Sequence, residues 1–253
     1  MKVLVGLSLF LSWMMLYPGL TYTGEKSGNA SFQLRMNLRL GDKYYDSREV
    51  PENLEKSHAY YISVLEADPE NQAVLWRLSR SFRTLGVRAL QKKKQLMHLS
   101  NAIKYGERAV KVDSENYQTH LWFGISMGSY ALAKGVMESL NLKDKIKFEL
   151  GEVLKQQPNN IRARLALAHW YFYLPEWLDG DKTKAMDYAD QAIIQDPNYT
   201  RSYLLKARLL KDWGKMSEAR RALQQVMKIQ TPSEVAAAVE DKAEARKILQ
   251  VLQ

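Results

Sequence analysis

The sequence predicts an all-α fold, a solenoid of about four helical hairpins, on three observations. Four turn segments punctuate it: Asp68-Pro69-Glu70-Asn71, Asp113-Ser114-Glu115-Asn116, Gln157-Pro158-Asn159-Asn160 and Asp196-Pro197-Asn198-Tyr199, each following one helical pattern and preceding another. Counted from these turns, small and large residues recur in fixed register. No run of strict alternation and no Asn-Gly turn supports a strand.

The elements follow in chain order. Residues 3–20, VLVGLSLFLSWMMLYPGL, carry no charge and are preceded only by Met1 and Lys2. A short charged start, an apolar run and the helix-breaking Pro18-Gly19 pair fit a secretory signal peptide. Thr21-Tyr22-Thr23 is a poor small-x-small cleavage site, so residues 1–23 read as a signal peptide or an uncleaved N-terminal anchor. Eighteen residues is near the lower limit for spanning a bilayer. Residues 32–253 read as one continuous helical-repeat domain, because no Gly/Ser-rich linker breaks them.

A helix over residues 53–67 opens the stack. Each later turn starts a helix three residues after its proline or proline equivalent, and the eighth position of that helix is Ser79, Gly124, Ala168 and Ala207. One helical turn on come Phe82, Met127, Tyr171 and Leu210. A small residue lets a partner helix approach, and a bulky one fills the space beside it. The partner helices carry Ala102 and Ala109, then Ala185, Ala189 and Ala192, then Ala219, Leu223 and Val226. Pro232 stands where the frame expects a stop, and residues 233–252 form a closing helix. This register is that of a tetratricopeptide-like repeat. The turns lie 45, 44 and 39 residues apart rather than about 34, and the excess falls between the two helices of each hairpin.

Composition narrows the function classes. The chain has 253 residues, a formal charge of +9 and no cysteine, which removes disulfides, thiol nucleophiles, cysteine-ligated metals and lipidation at a cysteine. The charge raises nucleic acid, anionic membrane or acidic ligands as partners. A base-reading pair recurring in each repeat is missing, so nucleic acid is disfavoured. His58, His98, His120 and His169 fall in four helices without ligand spacing, and no Gly-rich phosphate loop or nucleophile elbow is present. The expectation is a non-enzymatic protein without cofactor or metal.

Three segments carry a resemblance: Pro51-Glu52-Asn53-Leu54-Glu55-Lys56, then Ala73-Val74-Leu75-Trp76-Arg77-Leu78-Ser79-Arg80, and Pro175-Glu176-Trp177-Leu178-Asp179-Gly180-Asp181 ahead of Lys184-Ala185. The chain resembles exported bacterial proteins similar to the T component of tripartite periplasmic transporters, related in repeat layout to the regulator-of-microtubule-dynamics proteins. The resemblance implies an all-helical accessory protein, with no ligand or a small one, and in the transporter group a trimer docked on a solute-binding protein. Members of that group resemble lipoproteins. This chain, lacking cysteine, is expected to be freely periplasmic, secreted or held by its leader, which is also its one expected contact with membrane.

In a solenoid the first helix of each hairpin lines the concave surface, at positions 2, 5, 9 and 12 of the frame. These positions place Trp76, Arg80, Arg83, Arg162, His169, Phe172, Arg201, Arg208 and Lys211 there, with no acidic residue among them. Such a lining attracts a small anionic solute or the acidic part of a protein partner, since guanidinium groups pair with carboxylates bidentately. The alternative is a solvated helix face whose long basic side chains cover apolar surface. The segment 169–177 holds a cluster of aromatic rings at the third insertion, and Trp170, Tyr173 and Trp177 are candidates to wall a pocket, anchor a partner or pack the inserted loop. Asp179-Gly180-Asp181 reads as a helix N-cap rather than a calcium loop, because the closing Glu is missing. Arg88, Lys92, Lys93 and Lys94 of the first insertion, with Lys104, Arg108 and Lys111 after it, form the densest basic run and read as a solvated face.

Overall fold

The computed structural model describes residues 24–252. Among them are eleven α-helices, one 3₁₀ turn and no strand: α1 Gly24–Asp46, α2 Asn53–Ala67, α3 Gln72–Arg88, α4 Lys92–Val112, α5 Tyr117–Lys134, α6 Val136–Gln156, α7 Ile161–Tyr173, the 3₁₀ turn Glu176–Leu178, α8 Lys182–Gln195, α9 Thr200–Asp212, α10 Met216–Lys228 and α11 Val235–Val251. The leader at residues 3–20 lies outside the described residues. No described helix is long and apolar enough to cross a membrane. Two compact units divide at residues 36 and 37. In the first, Arg35 Nη1 donates to Ser31 Oγ at 3.5 Å.

The second unit is a stack of hairpins, α3 on α4, α5 on α6, α7 on α8 and α9 on α10, each joined to the next through α4–α5, α6–α7 and α8–α9 contacts. The turns produce this order by local chemistry. Asn71, Asn116 and Asn160 accept hydrogen bonds from the backbone N–H groups of Val74, Gln118 and Ala163 at 3.1, 3.0 and 3.0 Å, capping α3, α5 and α7. All four helices start at the residue the turn register predicts.

The small-and-large register is the core. Ser79 and Ala168 are fully buried, and Ala207, Met127 and Leu210 nearly so. Ser79 Oγ donates to the carbonyl of Ala102 at 2.8 Å, which fixes how closely α3 meets α4. At Gly124 a Cβ would lie 3.0 Å from Leu150 of the paired α6, so the small position is what admits that neighbour.

Three features depart from the sequence reading. The excess length in the first two hairpins does not form inserted loops but lengthens helices: α4 and α6 have 21 residues each, against 13 in α9 and α10. Only the third hairpin has a loop there, and it is tight. Gly180 N–H donates to Pro175 O at 2.9 Å, and a Cβ on Gly180 would lie 2.0 Å from the Leu174 carbonyl oxygen. Second, α2 is not alone at the start. From Asn37 onward α1 runs antiparallel beside it, with Asn37 donating to Ser63, Gly41 against the Tyr61 ring and Tyr44 stacked on Tyr60 at 5.7 Å. Third, α11 does more than close the stack. It packs on α9 and α10 through a face of Ala236, Ala237, Ala238 and Ala245, and its acidic residues also reach α3 and the segment after α1.

Candidate functional site

The first helices of the hairpins turn one face to a shared interior, and the sequence-predicted basic residues lie on it. Their positive charge is not free. Arg80 donates to Asp42 at 3.1 Å and to the Tyr61 hydroxyl at 2.8 Å, and its guanidinium lies 3.7 Å above the Tyr45 ring. Arg77, which the frame did not select, holds the same Asp42 through both carboxylate oxygens, at 2.8 to 3.0 Å, and stacks on Trp76 at 4.2 Å. Burial pushes the Asp42 carboxyl up, but Arg77, Tyr61 and Arg80 together bring it below its ordinary value.

Helix α11 and its N-cap residue Glu234 supply the rest of the negative charge. Arg201 pairs with Asp241 at 3.0 Å and Glu240 at 3.4 Å, Arg208 with Glu244, Arg88 with Glu240, and Arg162 with Glu234 at 3.2 Å. Glu234 also holds Arg48, which is 6% exposed, and accepts from the Tyr199 hydroxyl at 3.2 Å. Burial alone would raise the Glu234 carboxyl, yet Arg162 and Arg48 pull it down to about 2. Thr200 donates to Asp241 at 2.8 Å. Asp241 nevertheless sits above its usual range, because burial outweighs Arg201. The expectation of an open basic lining is therefore corrected: Arg80, Arg162, Arg201 and Arg208 are matched by carboxylates from α1 and α11.

Arg83 is the exception. Among the described residues its side chain makes one hydrogen bond, from Nε to Ser129 Oγ at 3.1 Å, and no carboxylate lies within ion-pair distance. Burial, then Arg201, lowers its pKa. Beside it His169 is held neutral, its pKa lowered to about 3 by burial and by Arg208, Arg201 and Arg83. Arg83 and His169 line three adjoining cavities of about 100, 140 and 220 Å³.

The remaining predicted residues are dispersed. Trp76 is partly buried under Arg77, and Lys211 is exposed. Trp170 belongs to α7, not to a loop, and is 1% exposed in the core, with its Nε1 lacking a hydrogen-bond partner. Tyr173 ends α7, stacks on His169 at 5.9 Å and meets Phe172 at 4.7 Å. Trp177 stands on the 3₁₀ turn, 70% exposed. Asp181 caps α8, accepting from the Lys184 N–H at 2.8 Å. In the basic run, Arg88 ends α3, Lys92 donates to the Ala133 carbonyl, and Lys93, Lys94 and Lys104 are exposed. Among the histidines, His120 pairs with Glu149 at 2.6 Å, and burial lowers His58 to about 4.

The frame missed Asp42, Tyr45, Arg48 and the acidic row of α11. Glu240 and Glu244 stand one turn apart in the sequence, and that spacing of acids opposite basic first helices was the available signal.

A family model described as regulator of microtubule dynamics protein 1-3 matches residues 38–177, more than half of the chain. The chain belongs to this family. A tetratricopeptide repeat model matches residues 200–231, the α9–α10 hairpin. Among curated relatives of this regulator family, regulator of microtubule dynamics protein 3 of Rattus norvegicus is 22% identical over 217 residues, covering 79% of this chain and 45% of the relative. The Mus musculus protein of that name is 23% identical over 168 residues, covering 59% and 35%. The chain spans less than half the length of these relatives. Among solved structures, a thermophilic TPR protein of Thermus thermophilus superposes with a TM-score of 0.66 at 15% identity, covering 86% of this chain and 99% of the other. A tetratricopeptide repeat protein of Parabacteroides merdae gives 0.52 at 14% identity, covering 94% and 86%. The likeness to both structures is one of fold.

Proposed function

We propose that this tetratricopeptide-type scaffold is non-enzymatic and receives an acidic segment of a protein partner on its inner face. The observation that supports this is how the face is filled: arginines of α3 and α9 hold carboxylates presented in a row by a helix, α11, and Arg162 of α7 holds Glu234 at the N-cap of that helix. A surface that takes one acidic helix from its own chain has the chemistry to take another, and α11 is then what the partner displaces. The uncharged run at residues 3–20 supports export, with the leader either cleaved or retained as an anchor for a membrane-held scaffold. The resemblance to transporter T components supports a solute-binding protein as the partner and a trimer as the assembled form.

A fluorescent helical peptide with Glu at successive i, i+4 positions, titrated into the full chain, tests the reading. Binding should weaken severalfold from 50 to 200 mM salt and in Arg162→Ala, whose side chain is 47% exposed and can be removed without opening the core. Equal affinity for the same peptide with Lys in place of Glu would overturn it.

A further inference from the structure

We propose that the cavity between α3, α5, α6 and α7 is a binding site for a small aliphatic carboxylate, held by Arg83 with its hydrocarbon tail against α5 and α6. The inference goes beyond the partner reading and does not depend on it. Four observations carry it.

Among the described residues, Arg83 is the one predicted inner-face arginine without a carboxylate partner, while Arg80, Arg162, Arg201 and Arg208 each have one. A guanidinium whose Nε alone is taken by a hydroxyl keeps its two Nη groups available to an anion in the cavity it lines. Trp170 lines the same cavity of about 140 Å³, is 1% exposed, and its Nε1 has no hydrogen-bond partner among the described residues. Beyond Ser129 and His169 the wall is apolar, with Ile125, Leu132, Ile146, Leu150 and Ala166. Finally, Gly128 lies within α5, where glycine is a much poorer helix former than alanine. A Cβ placed on it meets no atom within 4 Å, so packing against a neighbour does not require glycine there. Its lack of a side chain keeps the cavity open.

Charge and shape select the ligand. One unmatched guanidinium presents two parallel N–H donors, the geometry that a planar carboxylate accepts bidentately. His169 is neutral and no lysine lines this cavity, so a single negative charge is matched and a phosphate dianion is not. A cavity of about 150 Å³ lined by aliphatic side chains accommodates benzene, which sets the ligand here at about six carbons, the carboxyl carbon included.

The experiment is calorimetric titration of the full chain with hexanoate, alongside hexanol, hexylamine and inorganic phosphate. Hexanoate should bind at least tenfold more tightly than the other three. Gly128→Leu should abolish binding while the melting temperature holds or rises, since the side chain fills the cavity and replaces a helical glycine. Arg83→Met should weaken hexanoate at least tenfold and leave hexanol unchanged. Absence of hexanoate binding, equal binding in Gly128→Leu, or hexanol or phosphate binding as tightly as hexanoate would each overturn the assignment. Should Arg83→Met not fold, Arg83→Lys keeps the charge and removes the fork, and undiminished hexanoate binding there would count against the bidentate site. The probe contains no peptide, so its failure leaves the acidic-segment test standing.

Discussion

The arginines of the inner face are one residue type in two settings, and they behave differently. In one, they meet carboxylates from outside the repeat frame: Arg80 meets Asp42 of α1, Arg162 meets Glu234, and Arg201 and Arg208 meet Asp241 and Glu244 of α11. In the other, Arg83, one turn from Arg80 on α3, meets a serine and a largely apolar cavity. The repeat register decides which way a side chain points, but its charge state and availability depend on what the rest of the chain lays against it. A row of like charges read from one helix face is therefore a poor measure of net potential until every element packed on that face is counted.

The contrast can be broken at the matched arginines. Glu234→Ala should have the largest effect, a loss of about 3 kcal/mol in denaturant unfolding, because it strands the buried Arg48 and frees Arg162 and the Tyr199 hydroxyl. The same carboxylate gives a pH signature. Its pKa is about 2 in the folded chain against an ordinary 4.5, so the unfolded chain binds the extra proton in that window. The stability it contributes is complete above about pH 4.5 and is lost as the pH falls towards 2. A Glu234→Gln variant should lack that part of the slope, and identical acid unfolding curves would show that the pair contributes nothing.

Asp42→Ala should come next, at about 2 kcal/mol, because Arg77 and Arg80 share this one carboxylate, which is partly exposed at 32%. Its effect should be independent of Glu234→Ala in a double-mutant cycle, since the two carboxylates share no arginine. The smallest change belongs to Arg83. Arg83→Met should leave stability within about 0.5 kcal/mol of the parent or raise it, because no ion pair is broken and an unmatched charge leaves the interior. A loss as large as that of Asp42→Ala would erase the contrast between Arg83 and the matched arginines.

Much of the scaffold was legible in the chain. The starts of α3, α5, α7 and α9 follow from proline, asparagine and helix-period spacing, because turn chemistry and capping act within a few residues. The alanines of the partner helices were legible too, since a buried small residue recurs wherever helices pack closely. The lengthened α4 and α6 were harder to read. Residues beyond a 34-residue frame look like an inserted loop unless their own period is tested, and Lys92, Lys93 and Lys94 at the start of α4 hide the amphipathic pattern that follows. The C-terminal half of α1 was missed because Gly41 and Asp42, poor helix formers, interrupt its apolar spacing; contact with Tyr61 and Arg77 gives both residues their place. Of the site, the sequence delivered the residues of one face and nothing of their partners. Trp170 looked like a loop aromatic because its neighbours to Trp177 are aromatic as well, and only its place in α7 turns it inward.

The sequence by itself determined the repeat: where helices begin, which positions are small, and which face carries arginine. These depend on contacts over a few residues or one hairpin, whose cost in chain entropy is low and whose pattern is periodic. The tertiary structure alone decided which arginines are matched. Arg48 and Glu234 are separated by 186 residues, and Arg88 and Glu240 by 152. Pairings over such distances leave no periodic trace, because they arise from where α11 comes to lie and not from any local preference of the residues that form them.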